Sequence, residues 1–440
     1  MSDPAAARYR VAPGGCVQGE LTVPGDKSIS HRALMLGAIA EGQTDIGGFL
    51  AGEDCLATAR ALTALGVRIE GPADTQVRVH GVGAQGLRAA DAPLDMGNAG
   101  TAMRLMMGLL APQRFDSTLI GDDSLMRRPM ERVAVPLRLM GAEIHTHEGR
   151  PPVQIRGRPD LRAIQYALPV ASAQVKSAIL LAALGASGRT RLTEPAPSRD
   201  HTERMLRAFG VDVPQQGATI ALEGGQTLTG TRIEVPGDFS SAAFFLVAGC
   251  LAAERPLVLK NVGINPTRTG LLELLQRMGA DIRVQPHAAL ARGGEPIADL
   301  EVRKSALTGI TVPESLVPLA IDEFPVFFVA AACASGETLV RGAHELRVKE
   351  SDRLAAMAAG LAVLGIETQL LADGLWLRGG SAFSGGTIES RGDHRIAMAF
   401  AVAALRARAP IQILDVANVA TSFPGFLATA RAAGLQIEPA

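Results

Sequence analysis

The chain has 440 residues, which is long for one domain and suits two domains of about 200 residues each. Apolar residues make up 47%, so a large core can be buried, and the balance of 43 basic and 44 acidic side chains argues against nucleic acid or an anionic membrane as the main partner. The aromatic content of 4% also argues against stacking platforms for bases.

The cysteines and the N-terminus bear on the compartment. Cys16, Cys55, Cys250 and Cys333 form no CxxC pair, which disfavours zinc ribbons and disulfide frameworks and predicts reduced thiols. The N-terminus has no apolar signal core, and the longest uncharged apolar-rich run, Phe239 to Ala253, is shorter than the ~20 residues that span a bilayer. We therefore expect a cytoplasmic protein.

A unit repeats along the chain. Val23-Pro24-Gly25-Asp26 reappears as Val235-Pro236-Gly237-Asp238, and each copy leads into an Ala-rich helical stretch. Six times, the pattern predicts a helix that ends on a glycine before a short strand, because glycine readily adopts the left-handed conformation that ends a helix. Those glycines, spaced by 75, 69, 69, 86 and 69 residues, are Gly66, Gly141, Gly210, Gly279, Gly365 and Gly434.

Each unit is interpreted as strand, polar turn, buried helix, strand, amphipathic helix and strand. The first helices, such as Ser177 to Leu184 and Ala242 to Leu251, are apolar nearly all round, so they should lie inside and be covered by strands. Six units suit two domains of three units each. The expected domains are residues 21–230 and 231–440, with Gly224 to Gly230 as the hinge.

Polar residues gather in the turns where the helices begin. Unpaired N–H groups and the positive end of the helix dipole make such a start a site for anions, and the planar fork of arginine binds two anionic oxygens at once. Several starts that converge predict a cleft for ligands with several anionic groups. The residues concerned are Lys27, Ser28, Arg32, Gly100, Arg104, Arg128, Ser172, Gln174, Arg199, Asp322, Lys349, Glu350, Arg353 and Arg395.

Some polar residues have simpler interpretations. A single Ser or Asp before a helix is more often a cap than a ligand, and Asp238 and Ser240 are interpreted as caps. The stretch from Lys349 to Arg353 is equally compatible with a salt-bridged helix surface. Asp322 and Glu323 follow an apolar run, so this carboxylate pair near the interior points to function.

Nucleotide and metal motifs are disfavoured. Gly81 to Gly86 matches GxGxxG, but the chain continues into another polar turn rather than a helix, so the segment is interpreted as a connection between units. There is no Walker A sequence and no HExxH, and His31, His201 and His394 are too sparse to predict a metal site.

Ten segments, in their order along the chain, carry a close resemblance to a known family. They are PGDKSISHRA from Pro24, GNAGTAMRL from Gly97, RPM from Arg128, ASAQVKSA from Ala171, SRDHTERM from Ser198, PGDFSSAAF from Pro236, NPTRTG from Asn265, IDEFP from Ile321, ELRVKESDRL from Glu345 and GDHRIAM from Gly392. Together they cover the chain almost end to end. The sequence closely resembles the EPSP synthase (3-phosphoshikimate 1-carboxyvinyltransferase) family.

The resemblance implies an α/β (α+β) fold: a two-domain inside-out α/β barrel of six βαβαββ repeats, three per domain. The active site is expected in the cleft between the domains, and residues 1–20 are expected to complete the second domain. The implied reaction transfers the enolpyruvyl group of phosphoenolpyruvate to the 5-hydroxyl of shikimate 3-phosphate through a tetrahedral intermediate, in the shikimate pathway of aromatic amino-acid biosynthesis. No metal or organic cofactor is implied, and the expected protein is a monomer that binds neither nucleic acid nor membrane.

The resemblance also assigns residues. Asp322 is the expected base for the hydroxyl, and Glu350 and Lys27 are candidates for proton transfer at the methylene carbon. The implied contacts of shikimate 3-phosphate are Lys27, Ser28, Arg32, Ser172, Gln174, Arg199, Asp322 and Lys349. The implied contacts of phosphoenolpyruvate are Lys27, Gly100, Arg128, Gln174, Arg353 and Arg395.

Alternatives stay open. Residues 420–424, Ala-Thr-Ser-Phe-Pro, lack a lysine that one class of the family carries and resemble the class that often tolerates glyphosate, whereas Gly100 leaves room for the inhibitor and favours sensitivity. The sister transferase that uses UDP-N-acetylglucosamine typically has a reactive cysteine in the second-unit loop, and Asp116 to Arg128 contains none. A non-catalytic anion-binding protein on this fold would not need both Asp322 and Glu350.

Overall fold

The computed structural model describes residues 7–288 and 293–440, which divide into two units. The amino unit comprises residues 25–235 and 293–295, and the carboxyl unit comprises residues 7–24, 236–288 and 296–440. The divisions follow Pro24 and Val235, whereas the predicted ones follow residues 20 and 230.

Strands and helices alternate along the described chain. The strands are β1 (Arg8–Gly15), β2 (Val17–Thr22), β3 (Glu41–Gly47), β4 (Arg68–Ala73), β5 (Gln76–Val82), β6 (Leu94–Asp95), β7 (Ser117–Ile120), β8 (Glu143–His147), β9 (Arg150–Arg156), β10 (Gln165–Ala167), β11 (Arg189–Thr193), β12 (Gln215–Gln216), β13 (Thr219–Glu223), β14 (Arg232–Glu234), β15 (Ala253–Gly263), β16 (Ile282–Pro286), β17 (Ile297–Val302), β18 (Glu337–Val340), β19 (Glu367–Leu370), β20 (Leu375–Arg378), β21 (Gly386–Glu389), β22 (Ile411–Leu414) and β23 (Leu435–Pro439). The helices are α1 (Lys27–Ile39), α2 (Glu53–Ala64), α3 (Gly100–Leu110), α4 (Glu131–Leu139), α5 (Ala173–Leu184), α6 (His201–Ala208), α7 (Phe239–Ala252), α8 (Gly270–Arg277), α9 (Val317–Ala320), α10 (Phe324–Cys333), α11 (Arg353–Val363), α12 (His394–Ala403), α13 (Val419–Ser422) and α14 (Phe426–Ala432).

The amino unit repeats one sheet topology. Its described residues form three four-stranded sheets, ordered β14-β3-β5-β4, β6-β7-β9-β8 and β10-β11-β13-β12. In each sheet the first two strands run parallel and the other neighbours run antiparallel. Each sheet with two helices makes up one βαβαββ unit, although β14 comes from a more distant part of the chain than the rest of its sheet.

The carboxyl unit follows the same plan with three more sheets among its described residues. They are ordered β16-β17-β15-β2, β18-β20-β19 and β21-β22-β1-β23. In the three-stranded sheet, isolated parallel bridges from Thr308 and Thr311 to Ser335 and Leu339 take the place of a fourth strand. The prediction of six repeats, three in each half of the chain, is confirmed.

The first strands of the first and fourth repeats are exchanged. β2 directly precedes α1 in the chain, yet it pairs in parallel with β15, with Leu21 opposite Leu259. β14 directly precedes α7, yet it pairs in parallel with β3, with Ile233 opposite Ile46. β1 also lies between β22 and β23, so the N-terminal strands complete two sheets of the carboxyl unit.

The first helix of every repeat lies in a core. α3 packs against α1 and α5 in the amino unit, and α7, α10 and α12 pack against one another in the carboxyl unit. Every residue from Ser177 to Leu184 and from Ala242 to Leu251 is buried, as the apolar surface of these helices predicts. Each unit has its own hydrophobic core around its three central helices.

The six predicted helix-ending glycines all have positive φ angles. Gly66, Gly141, Gly210, Gly279, Gly365 and Gly434 have φ between 84° and 100°. At α6, the N–H of Gly210 donates to the carbonyl of Arg207, and the N–H of Val211 donates to that of Leu206. This is the Schellman arrangement, which satisfies carbonyls left open at the helix end. The prediction is confirmed.

The predicted glycine hinge is wrong. Residues 224–230 lie inside the amino unit, because the chain leaves that unit only after Val235. A Cβ on Gly224 would lie 1.8 Å from the carbonyl oxygen of Ala186, and one on Gly230 would lie 2.3 Å from that of Gln43. These glycines permit close packing of the backbone.

The GxGxxG segment has the structure that the sequence predicts. No helix opens at Gly81 to Gly86, and the next helix after it, α3, starts at Gly100, so the segment is a connection.

Within the described ranges, none of the helices has the length and apolar character that a membrane crossing needs. None of the four cysteines forms a disulfide, and burial raises the pKa of the Cys250 thiol to about 12.

Among the buried polar side chains, His31 on α1 is held as a neutral ring. The Thr58 hydroxyl donates to the carbonyl of Asp54, so it accepts the hydrogen bond from His31 Nδ1 at 2.8 Å. Burial, followed by the positive charges of Lys27 and Arg32, lowers the pKa of His31 from 6.5 to about 3. The folded chain therefore does not bind a proton that the unfolded chain binds below pH 6.5.

Substitution of Gly210 should separate backbone strain from side-chain crowding. A Cβ there would meet no atom within 4 Å, so Gly210→Ala should destabilise the amino unit by about 1 kcal/mol through its positive φ alone. Gly210→Asn should cost less, because asparagine tolerates the left-handed region better. Urea denaturation followed by circular dichroism measures both. Equal costs for Ala and Asn would contradict this account.

The second stability prediction concerns pH. Because the folded pKa of His31 is depressed, its contribution to stability is present above pH 6.5 and is lost as the pH falls towards 3. Between pH 7 and 5 the free energy of unfolding of the natural chain should fall by about 2 kcal/mol more than that of His31→Gln. The exposed His145→Gln change is the matched control. Parallel stability curves for the natural chain and His31→Gln would refute the prediction.

Candidate active site

The polar residues singled out from the sequence lie at or near helix starts. Four central helices begin with a side chain that accepts a hydrogen bond from a backbone N–H of the first turn. Such a cap uses one of the open donors and leaves others for a ligand. The caps are Asp26 on α1, Ser172 on α5, Asp238 on α7 and Asp393 on α12.

In the amino unit, Lys27 is the first residue of α1. Its Nζ lies 2.9 Å from Oδ2 of Asp54 on α2, and the Lys27 and Asp54 side chains are 18% and 7% exposed. Ser28 follows on the same turn and is half-buried. The Asp54 carboxylate therefore fixes the direction of the lysine and leaves its ammonium group partly accessible.

Arg32 lies one turn further along α1 and is buried. Its Nε donates to Thr202 Oγ1 at 2.7 Å, one Nη donates to Ser177 Oγ at 2.8 Å, and the other donates to the carbonyl of Ser28 at 2.9 Å. Burial lowers the pKa of Arg32 to about 10, with Arg199 adding to this effect and Glu203 opposing it. These three acceptors are neutral, so they orient the guanidinium without removing its charge.

A second group of donors forms around the start of α3. A Cβ on Gly100 would lie 3.0 Å from Arg128 Nη1 and 3.2 Å from Arg104 Nη1, so the glycine makes room for both guanidiniums. Arg128 donates to Asn98 Oδ1 at 2.6 Å. Arg104 donates to Gln174 Oε1 at 2.7 Å, which ties the start of α3 to the start of α5.

The third repeat supplies Ser172, Gln174 and Arg199. Ser172 caps α5, and Gln174 Nε2 donates to Thr101 Oγ1 at 2.9 Å. Arg199 is half-buried in the turn before α6 and adds positive charge near Arg32. Lys176, in contrast, points inward, where its Nζ lies 2.8 Å from Glu203 Oε1, and its side chain is only 1% exposed.

In the carboxyl unit, a buried arginine gathers three carboxylates. Arg353 begins α11 and is 1% exposed. Its Nε lies 2.8 Å from Asp393 Oδ2, one Nη lies 2.5 Å from Glu350 Oε2, and the other lies 3.2 Å from Asp322 Oδ1. Burial acts to lower the pKa of Arg353, but Asp393, Glu350 and Asp322 outweigh it and raise the pKa above the ordinary value.

Two more cations meet this cluster. Lys349 Nζ lies 3.2 Å from Asp322 Oδ1, the same oxygen that Arg353 contacts. Arg395, on the first turn of α12, donates from Nη1 to the carbonyl oxygen of Asp322 at 3.1 Å. The structure therefore brings Asp322, Lys349, Glu350, Arg353 and Arg395 together in one cluster. The interpretation of Lys349 to Arg353 as a salt-bridged helix surface is wrong, because α11 begins only at Arg353, which is buried.

Sequence reasoning misses several partners in these clusters. Asp54 could be recognised in the sequence as an acidic residue in the first turn of a helix, α2. Nothing in the sequence indicates that its carboxylate contacts Lys27. Arg104 is among the predicted residues, but the sequence gives it no role. Ser240 is not a cap: it lies inside α7, and its hydroxyl donates to the carboxylate of Glu323. Within residues 7–288 and 293–440, no group of three or more His, Cys, Asp or Glu side chains is arranged to hold a metal ion.

Comparisons with known proteins show the family of this chain. The sequence pattern of the family described as EPSP synthase (3-phosphoshikimate 1-carboxyvinyltransferase) matches residues 11–429. Proteins named 3-phosphoshikimate 1-carboxyvinyltransferase from Methylococcus capsulatus and Alkalilimnicola ehrlichii are 58% and 59% identical, over 98% of this chain and 98% and 96% of theirs. A solved structure of EPSP synthase from Acinetobacter baumannii is 55% identical, with a TM-score of 0.88 over 99% of this chain and 100% of that one. This chain therefore belongs to the EPSP synthase family.

Proposed function

We propose that the chain transfers the enolpyruvyl group of phosphoenolpyruvate to the 5-hydroxyl of shikimate 3-phosphate and releases phosphate. The family supports the reaction class. One observation carries the proposal: two carboxylates contact the buried guanidinium of Arg353. Its nitrogens lie 3.2 Å from Asp322 Oδ1 and 2.5 Å from Glu350 Oε2, and the reaction needs two proton movements. A protein that only binds anions would not need both of these carboxylates.

The proposed reaction has two stages. In the first, Asp322 accepts the proton of the 5-hydroxyl, the oxygen attacks C2 of phosphoenolpyruvate, and the methylene carbon receives a proton from Glu350 or Lys27. In the second, the new methyl group returns a proton to the residue that supplied it, and the C–O bond to phosphate breaks. The phosphate leaves with the electron pair of that bond and takes up the proton held by Asp322. The products are the enolpyruvyl ether and inorganic phosphate, and neither stage requires a metal or organic cofactor.

The amino unit fits the role of anion binder. Lys27, Ser28, Arg32, Ser172, Gln174 and Arg199 are proposed to hold shikimate 3-phosphate, together with Asp322 and Lys349 of the carboxyl unit. Lys27, Gly100, Arg128, Gln174, Arg353 and Arg395 are proposed to hold phosphoenolpyruvate. Preoriented cations stabilise charge that develops on a departing phosphate, since they need not reorganise during the reaction.

Each unit holds residues of both proposed subsites. The expected active site between the domains, the cytoplasmic location and the monomeric state stay predictions. Gly100 favours sensitivity to glyphosate by leaving space beside Arg128, and this too stays a prediction.

Release of phosphate from phosphoenolpyruvate tests the acceptor. We expect release that depends strictly on added shikimate 3-phosphate and is absent with the enolpyruvyl donor alone. A coupled phosphate assay with each possible acceptor measures it. Phosphate release with UDP-N-acetylglucosamine in place of shikimate 3-phosphate would indicate the activity of the sister transferase. No release with either acceptor would favour a non-catalytic binding protein.

Asp322→Asn separates catalysis from binding. Loss of the proposed base should lower kcat by at least about 100-fold, whereas the affinity for shikimate 3-phosphate, measured by calorimetry, should fall no more than about tenfold. Glu367→Gln, at a carboxylate whose side chain is 62% exposed in the same unit, is the matched control and should leave both unchanged. Full activity of Asp322→Asn would overturn the assignment of the base.

A further inference from the structure

The fourth repeat opens like the first but without its cation. Pro24-Gly25-Asp26-Lys27-Ser28 and Pro236-Gly237-Asp238-Phe239-Ser240 differ at the position of the lysine, and Phe239 is 1% exposed. Asp26 and Asp238 each cap the helix that follows. The proposed function uses Lys27 and Ser28 as ligands, but it gives no role to the polar residues at the start of α7.

Those residues join two charges that are remote in sequence. Arg268, in the turn before α8, donates from Nη2 to Asp238 Oδ1 at 3.0 Å and to Ser240 Oγ at 2.7 Å. The Ser240 hydroxyl in turn donates to Glu323 Oε1, which lies 3.9 Å from the same Nη2. The side chains of Glu323 and Arg268 are 0% and 3% exposed, so the contact between them is shielded from solvent.

Glu323 stands directly beside the proposed base. It is the residue before α10, the position of a helix cap, yet its side chain makes no capping hydrogen bond. Instead, Oε1 lies 4.0 Å from Arg395 Nη1, and the same Nη1 donates to the carbonyl of Asp322 at 3.1 Å. The Arg395 guanidinium is thus held between the backbone of Asp322 and the carboxylate of Glu323.

This arrangement is poorly explained by stability alone. A buried ion cluster often contributes no more to stability than apolar residues of the same volume, because desolvation offsets the attraction between the charges. The Glu323 side chain also makes no capping hydrogen bond to α10. Where a chain keeps such a costly local arrangement, the geometry that it fixes is the natural candidate for its role.

We propose that Glu323, clamped by Ser240 and Arg268, is a positioning residue that fixes the Arg395 guanidinium for an anionic group of phosphoenolpyruvate. The inference rests on the proposed function, since it takes Arg395 as a ligand of that substrate. It also gives the fourth repeat a role of its own. Whereas the first repeat presents a cation to substrate, the fourth repeat holds a cation of the sixth repeat in place.

Ser240→Ala tests the clamp without changing any charge. Loss of a hydrogen bond to a buried carboxylate should raise KM for phosphoenolpyruvate about fivefold and lower kcat, and KM for shikimate 3-phosphate should change less than about twofold. Ser241→Ala, at the neighbouring buried serine of α7, is the matched control and should leave all three constants unchanged. Steady-state phosphate release and a thermal melt are measured on each full-length variant.

Glu323→Asp gives an independent test, because it keeps the charge but shortens the side chain by one methylene. It should show the same selective rise in KM for phosphoenolpyruvate, and the double variant with Ser240→Ala should be no worse than the more affected single variant, since both changes break one contact. Equal rises in KM for both substrates, or a lower melting temperature with unchanged KM values, would overturn the proposal. An inactive natural chain would instead refute the proposed function.

Discussion

A helix that is apolar on every side can meet a polar ligand only at its ends. α7 and α10 are such helices, and their burial on all faces leaves no place for charge along their length. Cores of this kind require close packing of Ala, Leu, Val and Phe. The polar residues of the central helices are therefore concentrated near their starts, where open N–H groups and the helix dipole already favour anions.

The two units treat their buried arginines differently. Arg32 is held by two hydroxyls and a carbonyl, which give direction while the positive charge is retained. Arg353 contacts three carboxylates, so the guanidinium and the acidic groups orient one another. An anion should therefore find an attractive field beside Arg32, whereas proton transfer is better served by the carboxylates around Arg353.

The repeats, the helix ends and the buried helices could be predicted from the sequence, because each depends on neighbouring residues. A glycine that ends a helix needs only its own φ, and the burial of α5 and α7 follows from their composition. Contacts between distant residues could not be predicted: Ser240 and Glu323 are 83 residues apart, and no local pattern says that a hydroxyl in α7 turns toward a carboxylate before α10. The hinge prediction at Gly224 and Gly230 is wrong for the same reason. A glycine that is needed because a distant carbonyl oxygen packs against it cannot be told from a flexible glycine in the sequence.

The exchange of β2 and β14 has a consequence for the order in which the protein can form during translation. β14 belongs to a sheet of the amino unit, so the three sheets described for that unit have all their strands once residue 234 has left the ribosome. β1 and β2 are translated before their partners β15, β22 and β23, and Tyr9 pairs with Pro439. β1 therefore remains without its partner strands until β22 and β23 have been made, and the sheet that these three strands share with β21 closes only after residue 439 has been translated.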